Sequence, residues 1–246
     1  MEKRIFAVGI GPGDASEMTP EADRALRQSQ VIAGYPVYIE LVRDRYPDKE
    51  FLTTPMGEEI KRCLLCFEEA EKGRIVSLVS GGDAGVYGMA GPLLELSEKY
   101  PDVEISVIPG VTAALAGAAL LGAPLTHDFC VISLSDILTP QELIERRLRA
   151  AAEGDFCIVL YNPGSRKRPE ALKRAAEVLL ESMEPERPAG IAENIGRAGS
   201  SSGICTLREL LDVPVNMFMT VFVGNSQTAI IGGRLVTPRG YGLKVT

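Results

Sequence analysis

The chain has 246 residues, of which 46% are hydrophobic and 24% are charged, and its formal net charge at pH 7 is −7. Such a chain is long and apolar enough to form a hydrophobic core, as one large domain or two small ones. Its negative net charge weighs against general affinity for nucleic acid or for an anionic membrane surface. The five cysteines are an odd number, which argues against a disulfide framework. The N-terminal apolar run is short and breaks at a glycine, so we expect neither a signal peptide nor a membrane span, and we place the protein in the cytoplasm.

Strands alternate with helices in the first half of the chain. A strand predicted over Arg4–Val8 runs into the glycine-rich segment 9–14, and Thr19 followed by Pro20 predicts the start of a helix. Further strands are predicted over residues 31–33, 51–52, 75–79 and 103–108, and helices over residues 37–45, 58–72 and 89–99. This alternation predicts an α/β fold with a mostly parallel sheet.

A second series of alternating elements begins after Pro124. Strands are predicted over residues 129–134, 156–160, 190–193, 219–223 and 232–236. Helices are predicted to begin at the capping-box residues Thr139 and Thr206 and at Pro169. We therefore predict two α/β domains, an N-terminal one over residues 1–121 and a C-terminal one over residues 122–246.

Two strand-to-helix turns have the composition of ligand loops. Ser80–Ala90, SGGDAGVYGMA, follows an apolar strand, and its glycines leave backbone N–H and C=O groups free at the carboxyl end of that strand, where open α/β sheets bind ligands. Val107–Ala114 is rich in small residues and carries Thr112, whose hydroxyl could bond to a flat ligand. On its own, the second turn is equally well explained as the start of a tightly packed helix.

Three familiar kinds of nucleotide or hydrolase site do not fit the sequence. The segment 9–14 departs from the dinucleotide fingerprint, because Asp14 replaces the third glycine and Pro12 removes a phosphate-facing N–H. No P-loop pattern occurs. Residues 199–203 match the G-x-S-x-G pattern of a nucleophile elbow. The only histidine, His127, precedes them, whereas in α/β-hydrolases the histidine is the last of the three catalytic residues in the sequence.

Metal and acid–base sites have weak support. Cys63 and Cys66 form a C-x-x-C inside a helical pattern, without a second pair or a nearby histidine, which favours a buried helix face over a metal or redox site. His127 beside Asp128 could be an acid–base pair or a hydrogen-bonded histidine at a domain junction, and both interpretations stay open. We predict no metal site.

A basic cluster follows the predicted strand 156–160. Tyr161-Asn-Pro-Gly-Ser-Arg-Lys-Arg168 leads into a predicted helix, and basic charge is unfavourable at a helix N-terminus. The interpretation without a function is a solvent-exposed turn. Binding of an anionic ligand would give the cluster a function.

Several motifs, taken together and in order, resemble the tetrapyrrole methylases of cobalamin synthesis over essentially the whole chain. They are VGIGPGD with MTPEA, SGGDAGVYGMA, VIPGVTAA, HDFCVISLSD with LTP, FCIVLYNPGSRKR, AENIGR and TVFVGNSQT. HDF, SLSD and LYNP point to the branch that methylates carbon 17 of precorrin-3B, or of its cobalt-bearing counterpart, and contracts the ring to give precorrin-4. Ala84 and Gln141 depart from the proline and tryptophan usual in that family, and neither departure is expected to remove the donor site.

The resemblance implies two α/β domains with the active site in the cleft between them, a homodimer, and S-adenosyl-L-methionine as methyl donor with S-adenosyl-L-homocysteine as product. Matching motifs assign donor contacts to Pro12, Gly81, Gly82, Asp83, Val86, Thr112, Ala113, Tyr161, Asn162, Ala192, Asn194 and Ile195. The substrate would be a tetrapyrrole with several carboxylates, for which the candidate partners are Arg166, Lys167, Arg168 and Arg197. His127 and Asp83 are the candidates for assisting proton movement during ring contraction.

The implied chemistry suits a chain with no convincing catalytic triad, because methyl transfer from a sulfonium depends mainly on alignment. The close alternative is a sister methylase acting on another ring carbon, on diphthine or on ribosomal RNA, and the acidic charge weighs against the RNA substrate. From other classes, an NAD-dependent oxidoreductase would rest on the turn Gly9–Gly13 alone, and a non-catalytic tetrapyrrole carrier would bind substrate without methyl transfer.

Overall fold

The computed structural model describes residues 2–165 and 168–241. They form two compact units that are divided in sequence between Ala113 and Ala114. The first unit contains strands β1 (Arg4–Gly9), β2 (Val31–Gly34), β3 (Glu50–Thr53), β4 (Ile75–Ser80) and β5 (Glu104–Ile108), and helices α1 (Pro20–Gln28), α2 (Pro36–Glu40), α3 (Glu59–Glu71) and α4 (Ala90–Leu96). Single 3₁₀ turns lie at Ala15–Glu17, Arg43–Arg45 and Ser97–Lys99.

The first sheet is parallel throughout, with the strand order β3-β2-β4-β1-β5. Alternate residues of β1 face opposite cores: Ile5 and Ala7 pack with α3 and α4, while Phe6 and Val8 pack with α1 and α2. Helices therefore cover both faces of the sheet. Because the strands are parallel, their carboxyl ends all lie at one edge, which is where such sheets present ligand loops.

The second unit contains most of α5 (Ala113–Leu121), helices α6 (Gln141–Glu153) and α7 (Ala171–Leu180), and strands β6 (Gly122–Ala123), β7 (Phe129–Ser133), β8 (Cys157–Tyr161), β9 (Pro188–Glu193), β10 (Ser201–Thr206), β11 (Met219–Val223), β12 (Ala229–Ile231) and β13 (Arg234–Val236). A 3₁₀ turn lies at Glu209–Leu211. Five strands form a mixed sheet in the order β10-β9-β11-β8-β7, and β12, β13 and β6 form a small second sheet.

Helices cover both faces of the mixed sheet as well. α6 and α7 contribute Leu148 and Leu179 to the core on one face. On the other face, α5 approaches closely through Gly117, where a Cβ atom would lie 2.9 Å from the ring of Phe222 and 3.0 Å from Ile195. The small residues of α5 are thus explained by close packing against the sheet.

The α/β class and the strand–helix alternation predicted from the sequence are confirmed. The second sheet is mixed, unlike the first, because β9 and β10 form an antiparallel hairpin and β11 runs antiparallel to both β8 and β9. The division of the domains at residue 121 stays a prediction. Among the described residues, no helix combines the length and the apolar character that crossing a membrane requires.

Helix starts were predicted with mixed success. The Thr19 hydroxyl caps α1 by accepting a bond from the Ala22 N–H at 3.1 Å, with Pro20 at the first helical position, as predicted. The capping box at Thr206 is present but opens only a 3₁₀ turn. The one predicted at Thr139 is wrong, because α6 begins after the extended Pro140 and has no side-chain cap.

Several predicted elements are shorter in the structure. The helix predicted over residues 37–45 ends as α2 at Glu40, and a separate 3₁₀ turn follows it. The strand predicted to begin at Gly232 begins at Arg234, because Gly232 and Gly233, with φ of 57° and 73°, form the turn between β12 and β13. Left-handed glycines of this kind are typical of tight hairpins.

Replacing Thr19 with alanine should destabilise the protein, because the hydroxyl accepts from the Ala22 N–H and donates to the Pro109 carbonyl at 3.3 Å. Loss of a threonine cap costs about 1 kcal/mol. Urea denaturation should show this loss in the free energy of unfolding. Thr19→Ser keeps the hydroxyl and should lie close to wild type, so equal stability of the two variants would contradict the capping role.

Candidate functional site

The first candidate site is the edge of the first sheet at which β1, β4 and β5 end, here called the first edge. The Ile10 N–H donates to the Ser80 carbonyl at 3.0 Å, and Gly11 and Gly82 exchange two backbone hydrogen bonds of 3.0 and 2.7 Å. Both glycines have left-handed φ values, 79° and 74°, which glycine adopts without steric cost. The GIGPGD and SGGD motifs are thus joined backbone to backbone.

Gly9 and Gly110 let the backbones at the first edge touch. A Cβ atom at Gly9 would lie 2.7 Å from both the Gly110 nitrogen and the Gly82 carbonyl oxygen. A Cβ atom at Gly110 would overlap that same oxygen. Both positions therefore need glycine for close approach of the backbone, not for an unusual φ.

The carboxylate of Asp83 fastens the loop 80–89, here called the GGD loop, to the turn after β5. Its Oδ1 accepts from the N–H groups of Gly85 at 2.7 Å and Val86 at 3.1 Å, and its Oδ2 accepts from the Gly110 N–H at 2.9 Å. Hydrogen bonds to an ionised acceptor are stronger than neutral ones. Asp83 therefore fixes the shape of the loop and its attachment to β5.

The rest of the GGD loop is packed against its own unit. Ala84 is fully buried, and the Met89 N–H closes the loop by donating to Ser80 Oγ at 3.0 Å. Gly81 lies against Tyr38, because a Cβ atom at residue 81 would lie 2.5 Å from Cε1 of that ring. Sequence reasoning missed Tyr38, because it lies inside a predicted helix and belongs to no motif.

Thr112 and Ala113 border the open side of the GGD loop. A Cβ atom at Gly82 would lie 3.6 Å from both the Thr112 Cα and the Ala113 nitrogen, an ordinary van der Waals distance, so the two motifs are direct neighbours. Pro12 is buried in the turn after β1, which is bonded to the same loop. Within the first unit, the structure brings together Pro12, Gly81, Gly82, Asp83, Val86, Thr112 and Ala113.

The second candidate site is the edge of the mixed sheet at which β8 and β9 end, here called the second edge. The Tyr161 hydroxyl accepts from the Ala114 N–H at 2.6 Å. Asn162 is left-handed, with φ of 55°, and its Nδ2 donates to Ser133 Oγ at 2.9 Å, which ties the end of β8 to the end of β7. Asn194, with φ of 48°, follows β9 at the same edge, because β8 and β9 both run antiparallel to β11.

The other predicted residues near β9 differ in exposure. Ala192 is fully buried and Ile195 is 5% exposed, so a ligand would meet their backbone groups instead of their side chains. Arg197 lies over the ring of Phe218, with its guanidinium carbon 5.5 Å from the ring centroid, a cation–π contact.

The predicted basic cluster is only partly available for an anionic ligand. Arg168 is largely buried: its Nη1 donates to the Leu134 carbonyl at 3.0 Å, and its Nε lies 3.6 Å from Asp136 Oδ1. Its described contacts therefore tie the segment after β7 to the segment after β8. Arg166 and Lys167 lie outside the described residues.

His127 lies at the opposite end of the mixed sheet from Tyr161. It precedes β7, and the parallel register pairs Phe129 with Cys157 and Ser133 with Tyr161. Its Nδ1 accepts from the Asp128 N–H at 2.8 Å, and its side chain is 45% exposed. The expectation that His127 shares the rim of the site is therefore corrected, and its role in ring contraction stays a prediction without that positional support.

The remaining sequence candidates have structural explanations. Cys63 and Cys66 are fully buried, and burial raises the pKa of the Cys63 thiol to about 11 and that of Cys66 further, so neither is a thiolate near neutral pH. Ser201 opens strand β10, so residues 199–203 are not a strand-to-helix elbow. In residues 2–165 and 168–241, no group of three or more His, Cys, Asp or Glu side chains is placed to hold a metal ion.

Comparison with known proteins identifies the family. Residues 4–211 match the Tetrapyrrole (Corrin/Porphyrin) Methylases. The probable cobalt-factor III C(17)-methyltransferase of Salmonella typhimurium is 47% identical over 97% of this chain and 100% of its own length. The precorrin-3B C(17)-methyltransferase of a Sinorhizobium species is 40% identical over 94% of this chain and 92% of its own.

Solved structures agree with this assignment. The crystal structure of the methyltransferase CobJ has a TM-score of 0.89 at 38% identity, covering 97% of this chain and 100% of that one. The uroporphyrin-III C-methyl transferase of Thermus thermophilus, solved with S-adenosyl homocysteine, has a TM-score of 0.72 at 25% identity, covering 90% and 92%. The chain belongs to the tetrapyrrole methylases, which confirms the family and fold class predicted from its motifs. It is a methyltransferase.

Gly110→Ala should disrupt the first edge, because the new methyl group would overlap the Gly82 carbonyl oxygen and the Gly9 carbonyl group. Overpacking of this kind costs roughly 1–3 kcal/mol. Guanidinium denaturation should measure this loss in the free energy of unfolding. Gly91→Ala is the matched control, since nothing lies within 4 Å of a Cβ atom there, and a G110A protein as stable as G91A would refute the packing argument.

Proposed function

We propose that this protein transfers a methyl group from S-adenosyl-L-methionine to carbon 17 of precorrin-3B, or of its cobalt-bearing counterpart, and contracts the ring in cobalamin synthesis. The observation that carries the proposal is 47% identity over the full length of a relative named as a probable cobalt-factor III C(17)-methyltransferase. The likeness to a uroporphyrin-III methylase is weaker, at 25% identity, which makes a sister methylase the second candidate.

The proposed donor site is the first edge. Backbone N–H and C=O groups can bond to the carboxylate, ammonium and adenine groups of such a donor, and Gly82 lies beside Thr112 and Ala113, where small residues let a ligand approach the backbone. A relative of 25% identity was solved with the product of this donor, which supports the choice of ligand. Donor contacts by Tyr161, Asn162, Ala192, Asn194 and Ile195 stay predictions from the family motifs.

When bound, the donor supplies an activated methyl group on a positively charged sulfur. The task of the chain is to hold this group in line with the acceptor carbon, and such positioning can account for about 7–11 kcal/mol of a barrier. The backbone contacts at Gly9, Gly82 and Gly110 and the carboxylate of Asp83 suit that task, because they fix the GGD loop before any ligand arrives.

The proposed substrate is a tetrapyrrole, and its carboxylates need cationic partners. We assign this role to Arg197 and to Arg166 and Lys167, the last two lying outside the described residues. Arg168 is a weaker candidate than the sequence indicated, because its guanidinium is already bonded to the Leu134 carbonyl. In this proposal, the enzyme acts in the cytoplasm as a homodimer, on a small molecule and on neither nucleic acid nor membrane.

Calorimetry should show binding of S-adenosylhomocysteine to the purified protein and no binding of NAD. Mass spectrometry of reactions with metal-free and cobalt-loaded substrates should then show one added methyl group and identify the form that is used. Binding of NAD without S-adenosylhomocysteine would overturn the proposal in favour of an oxidoreductase. Substrate binding without methyl transfer would overturn it in favour of a carrier.

Asp83→Ala should weaken S-adenosylhomocysteine binding about tenfold or more, because three backbone N–H groups lose their charged acceptor. Asp83→Asn keeps one acceptor oxygen with two lone pairs, so its affinity should lie between those of wild type and Asp83→Ala.

His127→Ala tests the second residue that was predicted to assist ring contraction. If His127 has this role, methylated but uncontracted product should accumulate. Unchanged contracted product would remove either residue from that step.

A further inference from the structure

Arg62, on α3, is a buried cation without a carboxylate partner. It is 3% exposed, and among the described residues no Asp or Glu forms an ion pair with its guanidinium, whose Nε has no hydrogen-bond partner either. Arg74, just after the same helix, pairs instead with Glu50 and Glu69. Burial of an unpaired charge is unfavourable, so the position of Arg62 needs an explanation.

The contacts of Arg62 join two loops at the first edge. Its Nη2 donates to the carbonyl groups of Thr54 and Pro55, both at 3.0 Å, in the loop after β3. Its Nη1 lies 3.5 Å from the Sδ atom of Met89, the last residue of the GGD loop. β3 and β4 run parallel to the β2 strand between them, so both loops lie at the carboxyl edge of the sheet.

We propose that Arg62 is a positioning residue for methyl-donor binding, which fastens the far end of the GGD loop to the loop after β3. The proposal rests on the proposed function, which places the donor at this loop. Asp83 holds the beginning of the loop to Gly110, and Arg62 holds Met89, whose N–H in turn closes the loop on Ser80 Oγ. The loop is therefore held at both ends by side chains that need not touch the donor.

Stability alone is a poor explanation for this arginine. Burying a charge that has no partner of opposite charge costs free energy, and this cost offsets what the hydrogen bonds of Arg62 contribute. The Pro55 carbonyl belongs to an exposed residue, so water could replace the guanidinium there. The fork geometry of arginine, by contrast, bonds two carbonyl groups with one nitrogen and leaves the other arm on the GGD loop, which a methionine or lysine cannot reproduce.

The test compares Arg62→Met, Arg62→Lys and the matched control Arg74→Met in the full chain. Calorimetry with S-adenosylhomocysteine should show about tenfold weaker binding by R62M, an intermediate loss for R62K and wild-type binding by R74M. Thermal unfolding of the same variants measures any loss of stability, for which R74M, which loses two ion pairs, is the control. Hydrogen exchange of the Met89 and Ala90 amides without ligand should be faster in R62M than in wild type or R74M.

The readouts separate positioning from general destabilisation. Wild-type affinity and wild-type exchange in R62M would overturn the proposal, and so would affinity losses that follow the unfolding temperature across all three variants. If R62M does not fold, R62K carries the same comparison with R74M. If the wild-type protein does not bind S-adenosylhomocysteine, the proposed function fails, and exchange at Met89 and Ala90 still decides whether Arg62 fastens the loop.

Discussion

The contact among Gly9, Gly82 and Gly110 is the constraint on which the first unit depends. No side chain separates the three backbones there, since a Cβ atom at Gly9 would come within 2.7 Å of both neighbours. The ends of β1, β4 and β5 are consequently held by backbone bonds and by one carboxylate, that of Asp83. Their relative positions cannot drift with side-chain packing, which gives a small ligand a rigid surface of polar backbone groups.

The two units use a related device at their strand ends. In the first unit, the Asp83 carboxylate joins the loop after β4 to the turn after β5. In the second, Asn162 joins the end of β8 to Ser133 at the end of β7, and Arg168 adds a bond to Leu134. A short polar side chain anchored on a neighbouring strand end fixes a loop at little cost in conformational entropy, because few rotatable bonds are frozen.

Local signals in the sequence predicted local features well. Alternating apolar residues predicted the strands, Thr19 with Pro20 predicted the start of α1, and the pattern around Cys63 predicted a buried helix face. Features that depend on pairing between distant segments were not predicted. The antiparallel β11 decides that the second sheet is mixed, and the register of β7 with β8 puts His127 away from Tyr161.

The candidate site was predicted only in part, because local motifs mark some of its residues and long-range packing determines the others. The motifs that resemble the tetrapyrrole methylases marked the GGD loop and the turn at Thr112, and the structure places them side by side within the first unit. The residues that hold those motifs carry no motif of their own. Arg62 and Tyr38 lie on helices whose sequence patterns indicate nothing beyond an amphipathic helix, and only the fold shows which loops they touch.

The contact of Tyr38 with Gly81 limits how this chain can vary. The ring fills the volume that any side chain at residue 81 would need, so the two positions are coupled although they lie far apart in the sequence. A larger residue at 81 requires either a smaller residue at 38 or a displacement of the Tyr38 ring. In related sequences the pair is expected to change together, and an engineered exchange of bulk between the two positions would keep the volume at this edge constant.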